Sequence, residues 1–396
     1  MNDRYLLISA DCHAGGSMEQ YREYLDPEYR DEYDTWRQRY SNPFRDLQSD
    51  GRIRNWDSTR RVDELAADGV VAEVLFPNTV PPFFPTGAVI ARPPRAKNYA
   101  RRHAGIRAHN RWLADFCAEA PGRRAGIGQI FLNDVDDAVA DVRWIKEHQL
   151  QGGALLPGRP DDSEFPPLYD AVYEPLWSVC EELEVPVTHH SGQGSPDYGP
   201  SDAASVMWLV ETQWFSHRPF WQLIMGGVFE RHPNLRFVVT EQGCSWIPDT
   251  LRMLDAYHAQ MASGRVGELK YTEDQRLALT PSEYFARNCY VGVSFPSPTE
   301  SRAMRSVGLD RVMWGSDYPH NESTYPHTTA GLRRAFADWD PAEVRQVTSE
   351  NAARIYGFDL DTLNPLAAGV GPSVDEVARP LEAVPADSAS PAFTRR

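Results

Sequence analysis

The sequence has 396 residues, of which 41% are hydrophobic and 24% are charged, and its formal net charge is −16 at neutral pH. This balance is typical of a globular protein, and the length allows two or three domains or one long α/β barrel. A strongly acidic chain repels nucleic acids and anionic membranes, so neither is an expected partner.

The cysteines and the N-terminus predict a cytoplasmic protein. The five cysteines are odd in number and lie far apart without a C-x-x-C pair, which is typical of reduced thiols. Residues 1–4 lead straight into an apolar run, so no secretory signal is expected. No apolar stretch approaches the roughly 18 residues that a membrane span needs. The expected partner is a small-molecule substrate.

Short apolar runs recur along the chain and predict eight buried strands. Most of these runs are unbroken rather than alternating, which is typical of parallel strands covered on both faces. The predicted strands are Tyr5–Asp11, Val70–Phe76, Ala125–Phe131, Gly153–Leu156, Val185–His190, Arg236–Glu241, Cys289–Ser294 and Arg311–Ser316.

Amphipathic segments lie between these runs and predict helices. In residues 134–148, acidic residues open the segment and an apolar stripe follows. Alternation of eight strands with helices predicts an α/β fold, a (β/α)8 TIM barrel. An open doubly wound sheet is the competing fold, but no glycine-rich dinucleotide fingerprint follows the first strand. The other predicted helices are Asp57–Asp68, Arg95–Ala120, Pro167–Leu183, Ala203–Arg231, Ser245–Ala262, Ser301–Val307 and Thr328–Trp339.

Two segments do not fit this alternation. Residues 15–55 are polar and rich in Tyr, Arg, Asp and Trp, and they separate the first strand from the first helix. An insert of that length at the catalytic face is expected to be a lid or pocket wall, with a surface decoration or subunit contact as the alternative. Residues 364–396, rich in Pro and Ala, predict a tail that wraps a neighbouring subunit or is disordered. The predicted organisation is therefore a barrel over residues 1–363 followed by this tail.

Side chains that bind metals stand at the ends of three predicted strands. Asp11 and His13 close the first strand and, two residues apart, point to the same side, while Asp317 follows the eighth. The fifth strand ends in His189 and His190, which face opposite ways, so at most one of them can face a shared site. Because the carboxyl ends of barrel strands meet at one face, the sequence predicts a metal site there.

Five motifs resemble those of a known family, over residues 5–359. They are D-x-H at residues 11–13, P-V-x-x-H-x-G at 186–192, G-G-V-F-x-R-x-P at 226–233, W-G-S-D-Y-P-H at 314–320 and E-N-A-A-R-I-Y-G-F at 350–358. With these motifs the chain resembles the amidohydrolase superfamily. The resemblance is to the branch of aminocarboxymuconate semialdehyde decarboxylase and the aromatic-acid decarboxylases of dihydroxybenzoate type.

The resemblance implies a homodimeric barrel enzyme with one divalent metal ion. The ligands that it implies are Asp11, His13, His190 and Asp317, and it selects His190 over His189 because the ligand is the final histidine of the P-V-x-x-H-x-G motif. Many family members open with H-x-H. Asp11 places a carboxylate where those members have the first imidazole. A carboxylate is a harder ligand than an imidazole, so the site can bind Mn²⁺ as well as Zn²⁺. The fourth strand ends without a lysine, so no carbamylated lysine can bridge a second ion.

The resemblance does not identify which residue acts as the general acid or base. The family usually has a histidine at the end of the sixth strand, where this chain has Glu241. We expect Asp317 to contact the metal and to accept and return a proton. The remaining candidates for the general acid or base are Glu241, His217 and His320.

Three further residues are candidates for substrate binding. Arg61 and Arg218 could each hold a substrate carboxylate with two parallel hydrogen bonds. Trp56 could line a pocket for a planar substrate.

Two reactions are compatible with such a site. The main prediction is hydrolysis of a small aromatic or carboxylated substrate by metal-activated water. The alternative is non-oxidative decarboxylation of a hydroxy-aromatic or keto acid, which is a carbon–carbon lyase reaction. A non-catalytic metal-binding barrel is the third hypothesis, disfavoured because all four ligand positions carry competent side chains.

Overall fold

The computed structural model describes residues 3–42, 50–161, 164–265, 267–268 and 270–395. Its central feature is an eight-stranded sheet in which each strand pairs with the next along the chain. Every pair is parallel, and every strand overlaps its predicted range. The strands are β1 Ile8–Ala14, β2 Ala72–Pro77, β3 Arg124–Gln129, β4 Gly153–Leu155, β5 Val187–His190, β6 Phe237–Thr240, β7 Cys289–Ser294 and β8 Val312–Gly315.

Hydrogen bonds between β1 and the segment after β8 close the sheet into a barrel. The backbone N–H of Asp317 donates to the carbonyl of Asp11 at 2.8 Å, and that of His13 donates to the carbonyl of Tyr318 at 2.7 Å. Cys12 and Tyr318 thereby form a parallel bridge. The predicted TIM barrel is confirmed, and the doubly wound sheet is excluded because that fold leaves two open edges.

Helices surround the barrel, and every residue of β1 and β2 is buried, which explains the unbroken apolar runs. The predicted helix over residues 203–231 is two helices, because Gly227 adopts a left-handed conformation with φ of 73° between them. In the described part of the chain, no helix combines the length and apolarity that a bilayer span requires. The helices are α1 Met18–Tyr24, α2 Arg30–Arg37, α3 Ser58–Ala67, α4 Tyr99–Ala118, α5 Val135–Glu147, α6 Glu174–Glu182, α7 Ala204–Met225, α8 Val228–Arg231, α9 Ile247–Ser263, α10 Pro281–Asn288, α11 Pro298–Val307, α12 Thr328–Phe336, α13 Pro341–Arg345, α14 Asn351–Tyr356, α15 Leu360–Val370, α16 Val374–Val377 and α17 Pro391–Thr394.

The insert over residues 15–55 contains α1 and α2, and its residues 43–49 lie outside the described residues. Its aromatic side chains pack against the loop after β2. The rings of Tyr33 and Trp36 lie 5.7 and 5.9 Å from that of Phe83, and the buried hydroxyl of Tyr21 is 2.9 Å from that of Thr79. The described part of the insert is therefore anchored on the barrel.

The C-terminal segment packs on its own barrel. Helix α15 runs across the predicted boundary between the barrel, which ends at residue 363, and the tail, which begins at residue 364. The backbone N–H of Tyr5 donates to the carbonyl of Pro372 at 2.9 Å, and Phe393 is buried in a small apolar cluster with Phe295. A contact with a neighbouring subunit stays a prediction.

Candidate metal centre and active site

Buried ligand-type side chains converge at the carboxyl ends of the strands. Asp11 and His13 of β1, His190 of β5 and Glu241 after β6 each offer one ligand atom, all within 4.8 Å of one another. Asp317, which follows β8, joins them with its Oδ1 3.2 Å from Nε2 of His13. We call these five residues the metal cluster. It unites the four predicted ligands with Glu241, for which the sequence suggested only an acid–base role.

The backbone adopts unusual conformations where the strands present these side chains. Glu241 and Asp317 have φ of 59° and 66°, a conformation that non-glycine residues adopt at a cost of roughly 1–3 kcal/mol. Asp11 lies inside β1 rather than at its end, at a register shift between Ser9 and Cys12. A side chain at Gly315 would place its Cβ 2.7 Å from that of Asp11, so only glycine fits there.

The distances within the metal cluster fit a shared cation. Nε2 of His13 and of His190 lie 3.4 and 3.6 Å from Oδ1 of Asp11. These two nitrogens, this oxygen and both carboxylate oxygens of Asp317 are buried without hydrogen-bond partners. Ligands about 2.1 Å from one ion stand about 3.0–3.4 Å apart, close to the observed spacing. Because unpaired buried charges are costly, one divalent ion is the natural counter-charge for this group.

Neighbouring groups orient the candidate ligands. Ser294, the last residue of β7, donates a hydrogen bond to Oδ2 of Asp11. Nδ1 of His190 lies 3.0 Å from the carbonyl of Ser191, which can only accept, so Nδ1 carries the proton and the lone pair of Nε2 faces the cluster. The backbone N–H of His190 donates to Oε1 of Gln193 at 2.8 Å. The position of Ser294 at a strand end was the only sequence signal for these supporting residues.

Opposite charges shift the pKa values within the cluster. Burial opposes the charge on Asp11, but His13 and His190 hold the pKa of this carboxyl well below its usual value. Burial and the charge of His320 oppose protonation of His13, yet Asp11 and Asp317 raise its pKa. Burial also opposes the charge on Asp317, whose pKa is nevertheless lowered by His320 and His13. A proton on His13 thus helps to balance the carboxylates, and a divalent ion can replace it.

Two further groups can carry protons beside the cluster. Burial, followed by the charge of Asp317, raises the pKa of Glu241 to about 8. Burial alone would lower the pKa of His320, but Asp317, whose Oδ1 lies 3.4 Å from Nδ1 of His320, raises it to about 10. The His320 ring stacks on that of His13 at 4.2 Å, and its Nε2 donates to Oδ1 of Asn78 at 3.1 Å. Asn78 was not among the predicted residues.

Two other histidines lie outside the metal cluster. His189 faces the other side of β5, where its Nδ1 donates to the carbonyl of Leu156 at 3.2 Å, and burial lowers its pKa to about 3. His217 stacks on Trp246 with ring centroids 3.7 Å apart. Because α7 holds His217 there, the structure does not bring this predicted acid–base candidate to the ligands.

The predicted substrate-binding residues also point elsewhere. Arg218 pairs with Asp161 and lies over the ring of Trp214. Trp56 lines a separate cavity of about 300 Å³ beneath the insert. Arg61 is completely buried beside Glu73, so it cannot reach a substrate in the cavity beside the cluster.

Arg61 instead supports the backbone of a candidate ligand. Its Nη1 donates to the carbonyl of His13 at 2.8 Å, while its Nε and Nη2 contact the carboxylate of Glu73 at 2.7–2.9 Å. Its guanidinium also lies 4.7 Å from the centre of the Tyr318 ring. Arg61 therefore ties the end of β1 to the segment after β8, the two regions that supply three candidate ligands.

Replacing Arg61 with methionine is expected to lower metal affinity by about 10–100-fold, because residues that hold ligands in place have effects of this size. Dialysis against buffered Mn²⁺ followed by metal analysis measures the loss. Arg124→Met is the matched control, since Arg124 is also buried and lies 3.3 Å from Glu73 but donates to Ser58 and Phe116 rather than to the backbone of a candidate ligand. Equal losses of metal in both variants would contradict the positioning role.

A cavity of about 230 Å³ opens beside the metal cluster. Its walls combine apolar side chains with the polar groups of the cluster, an arrangement that is typical of small-molecule sites. The main described lining residues are His13, Asn78, Val89, Ile90, His190, Trp208, Glu241, His320 and Glu322.

Two known proteins of similar sequence are decarboxylases. The chain is 28% identical to γ-resorcylate decarboxylase of Rhodococcus jostii over 287 residues, 67% of this chain and 78% of the relative. It is 26% identical to 2-amino-3-carboxymuconate-6-semialdehyde decarboxylase of Dictyostelium discoideum over 274 residues, 67% of each chain.

Solved structures share the fold at lower identity. A 5-carboxyvanillate decarboxylase of Novosphingobium aromaticivorans with bound manganese is 21% identical, with a TM-score of 0.66 over 90% of this chain and 98% of the other. A dihydroxybenzoic acid decarboxylase of Polaromonas sp. JS666, with bound manganese and 2-nitroresorcinol, is 18% identical, with a TM-score of 0.62 over the same shares.

The sequence model of the amidohydrolase family matches residues 34–358, which is most of the chain. This match agrees with the closed barrel and with a buried His, Asp and Glu group that can bind one metal ion. The protein therefore belongs to the amidohydrolase family and is a metal-dependent enzyme of that superfamily.

Proposed function

We propose that this protein catalyses the non-oxidative decarboxylation of a hydroxy-aromatic acid. The observation that carries the proposal is that two relatives, each aligned over 67% of the chain, are both decarboxylases. Hydrolysis was the main prediction from the sequence, and these relatives favour the alternative instead.

The metal cluster is the part of the site that would bind the metal ion and, through it, the substrate carboxylate. In this proposal Asp11, His13, His190 and Asp317 hold one Mn²⁺ or Zn²⁺ ion. When bound, the ion supplies positive charge that attracts the carboxylate and neighbouring hydroxyl of the substrate. Val89, Ile90 and Trp208 line the adjoining cavity, where apolar surfaces can hold the aromatic ring and exclude water.

Decarboxylation then needs a proton donor at the ring. The bond between the ring carbon and the carboxylate breaks, CO₂ leaves, and the electron pair stays on the ring carbon, which must gain a proton. His320, whose raised pKa keeps it protonated, passes its proton to Asp317 3.4 Å away, Asp317 delivers that proton to the ring carbon, and His320 then recovers a proton from solvent. The side chain of His320 is 19% exposed, so it can exchange protons with water. Glu241 is the second candidate donor on the cavity wall.

Product analysis in heavy water tests the proposed reaction. The protein is loaded with Mn²⁺ and incubated in D₂O with 2,6-dihydroxybenzoate and with salicylate. We expect release of CO₂ and a phenolic product that carries deuterium at the carbon that lost the carboxylate.

A parallel incubation in H₂¹⁸O separates the two reactions. Phenyl acetate and an aromatic lactone serve as hydrolase substrates under the same conditions. Incorporation of ¹⁸O into their acid products, without CO₂ release from any hydroxybenzoate, would restore hydrolysis as the function.

We further propose the homodimer and the cytoplasmic location implied by the sequence. Exposed apolar residues on α7 support a subunit contact, because large exposed apolar patches often mark protein–protein interfaces. These residues are Val206, Met207, Leu209, Val210 and Trp214. The five cysteines are unpaired, which agrees with reduced thiols.

A further inference from the structure

Two glutamates lie on the polar wall of the cavity beside the metal cluster. Glu241 and Glu322 both line it, and one carboxylate oxygen of each lies within 4.8 Å of an oxygen of Asp317. Among the described lining residues there is neither lysine nor arginine. The side chains of Arg61 and Arg218, which the sequence suggested for binding a carboxylate, are engaged by Glu73 and Asp161 instead.

Carboxyl groups outnumber the basic side chains at the described part of the site. Asp11, Asp317, Glu241 and Glu322 contribute the carboxyl groups, and the basic side chains are the imidazoles of His13, His190 and His320. One substrate carboxylate can still bind at the ion, but for a second anionic group the wall offers neither lysine nor arginine, and the imidazole of His320 is already paired with Asp317 and Glu322.

We infer that this site accepts aromatic acids with a single carboxylate and discriminates against those with a second anionic group on the ring, with Glu322 as the discriminating residue. The inference deepens the proposed function, because it places the first carboxylate at the metal cluster. Glu322 also favours the opposite kind of substituent, since its carboxylate can accept a hydrogen bond from a ring hydroxyl or an ammonium group.

The expected size of this discrimination follows from the exposure of Glu322. Its side chain is 49% exposed, so water screens its charge. Two like charges about 6 Å apart in an effective dielectric of about 40 repel each other enough to weaken binding about tenfold. The effect is large enough to measure and too small to reflect a change of fold.

Binding of two matched acids tests the inference. The ligands are 5-carboxysalicylate and 5-carbamoylsalicylate, which have the same size and the same metal-binding groups but differ by one charge. Dissociation constants are measured by calorimetry on the Mn²⁺-loaded protein. We expect the uncharged amide to bind about tenfold more tightly, and we expect Glu322→Gln to reduce this ratio to near one. Glu322→Lys should reverse the preference.

Glu147→Gln is the matched control, because Glu147 is exposed at the end of α5, away from the cavity. It should leave the ratio unchanged. Equal affinities in the wild type, an unchanged ratio in Glu322→Gln, or no binding of either acid would overturn the inference.

Decarboxylation assays separate this inference from the proposed function. If neither acid releases CO₂ but the affinities rank as expected, the discrimination holds and the proposed reaction fails. If both acids are decarboxylated with equal kcat/KM, the reaction holds and the discrimination fails.

Discussion

Asp317→Asn is expected to reduce turnover by about 10²–10⁴-fold while leaving the barrel folded, because the amide cannot carry the proton that the reaction requires. The substitution keeps the shape of the side chain. It also keeps an oxygen that can face the metal cluster, so metal content should fall much less than the rate. Asp317 is fully buried and its Oδ2 has no hydrogen-bond partner, which leaves this oxygen available to the reacting atoms.

The measurement compares CO₂ release, metal content and thermal unfolding of the variant with those of Asp310→Asn. Asp310 precedes β8 and pairs with Arg311 at the exposed surface, so its substitution removes a carboxylate from the opposite end of the same strand. Near-normal turnover in Asp317→Asn would remove this residue from the proton transfer. Loss of metal in proportion to turnover would give it a ligand role alone.

The strands and helices could be predicted because each depends on residues that are close together in the chain. The run Val312–Gly315 is apolar, two of its four residues are β-branched or aromatic, and it is a buried strand. Residues 289–294 were predicted as a strand with the same bounds as β7. The parallel pairing of the strands followed from the alternation of such runs with helices, because parallel neighbours need a crossover between them.

The residues at the strand ends could be predicted as a group for a related reason. A parallel barrel fixes which end of each strand reaches the mouth, so His13, His190 and Asp317 had to share a face. The choice between His189 and His190 required the motif, since alternation alone allowed either one. Their role as metal ligands stays a prediction that the distances support.

The sequence could not show where a side chain points when its partner lies far away in the chain. Arg61 lies on a helix next to the mouth and looked suited to an anionic substrate. Its actual partner is Glu73 on the neighbouring strand, which also contacts Arg124 of β3. A guanidinium that is 0% exposed requires such a carboxylate, because a lone buried charge is costly. The spacing of residue types along the sequence does not predict this kind of buried network.

His217 illustrates a related limit. A histidine on a helix that flanks the mouth can face the site or the core, and residues 204–225 are apolar on much of their circumference. The ring packs against Trp246 of the segment before α9. That contact joins residues 29 positions apart, and it depends on how α7 packs against the segment before α9.

The two adjacent histidines of β5 offer the sharpest test of the metal cluster. His190→Ala is expected to lower metal affinity by more than about a hundredfold, since loss of a ligand exceeds the effect of losing a residue that only orients one. His189→Ala should retain the metal and instead lower the free energy of unfolding by about 1–3 kcal/mol, because it removes a buried ring. Both imidazoles are buried to nearly the same degree, 0% and 2% exposed, so burial alone cannot separate them.

The pair is informative because each variant controls for the other. Both substitutions remove the same side chain from the same strand, and they differ only in the face from which it is removed. Metal content after dialysis, measured beside urea unfolding of the metal-free proteins, distinguishes loss of a ligand from loss of packing. If His189→Ala lost the metal and His190→Ala kept it, β5 would present its other face to the mouth. The convergence of Asp11, His13 and His190 on one cation would then be wrong.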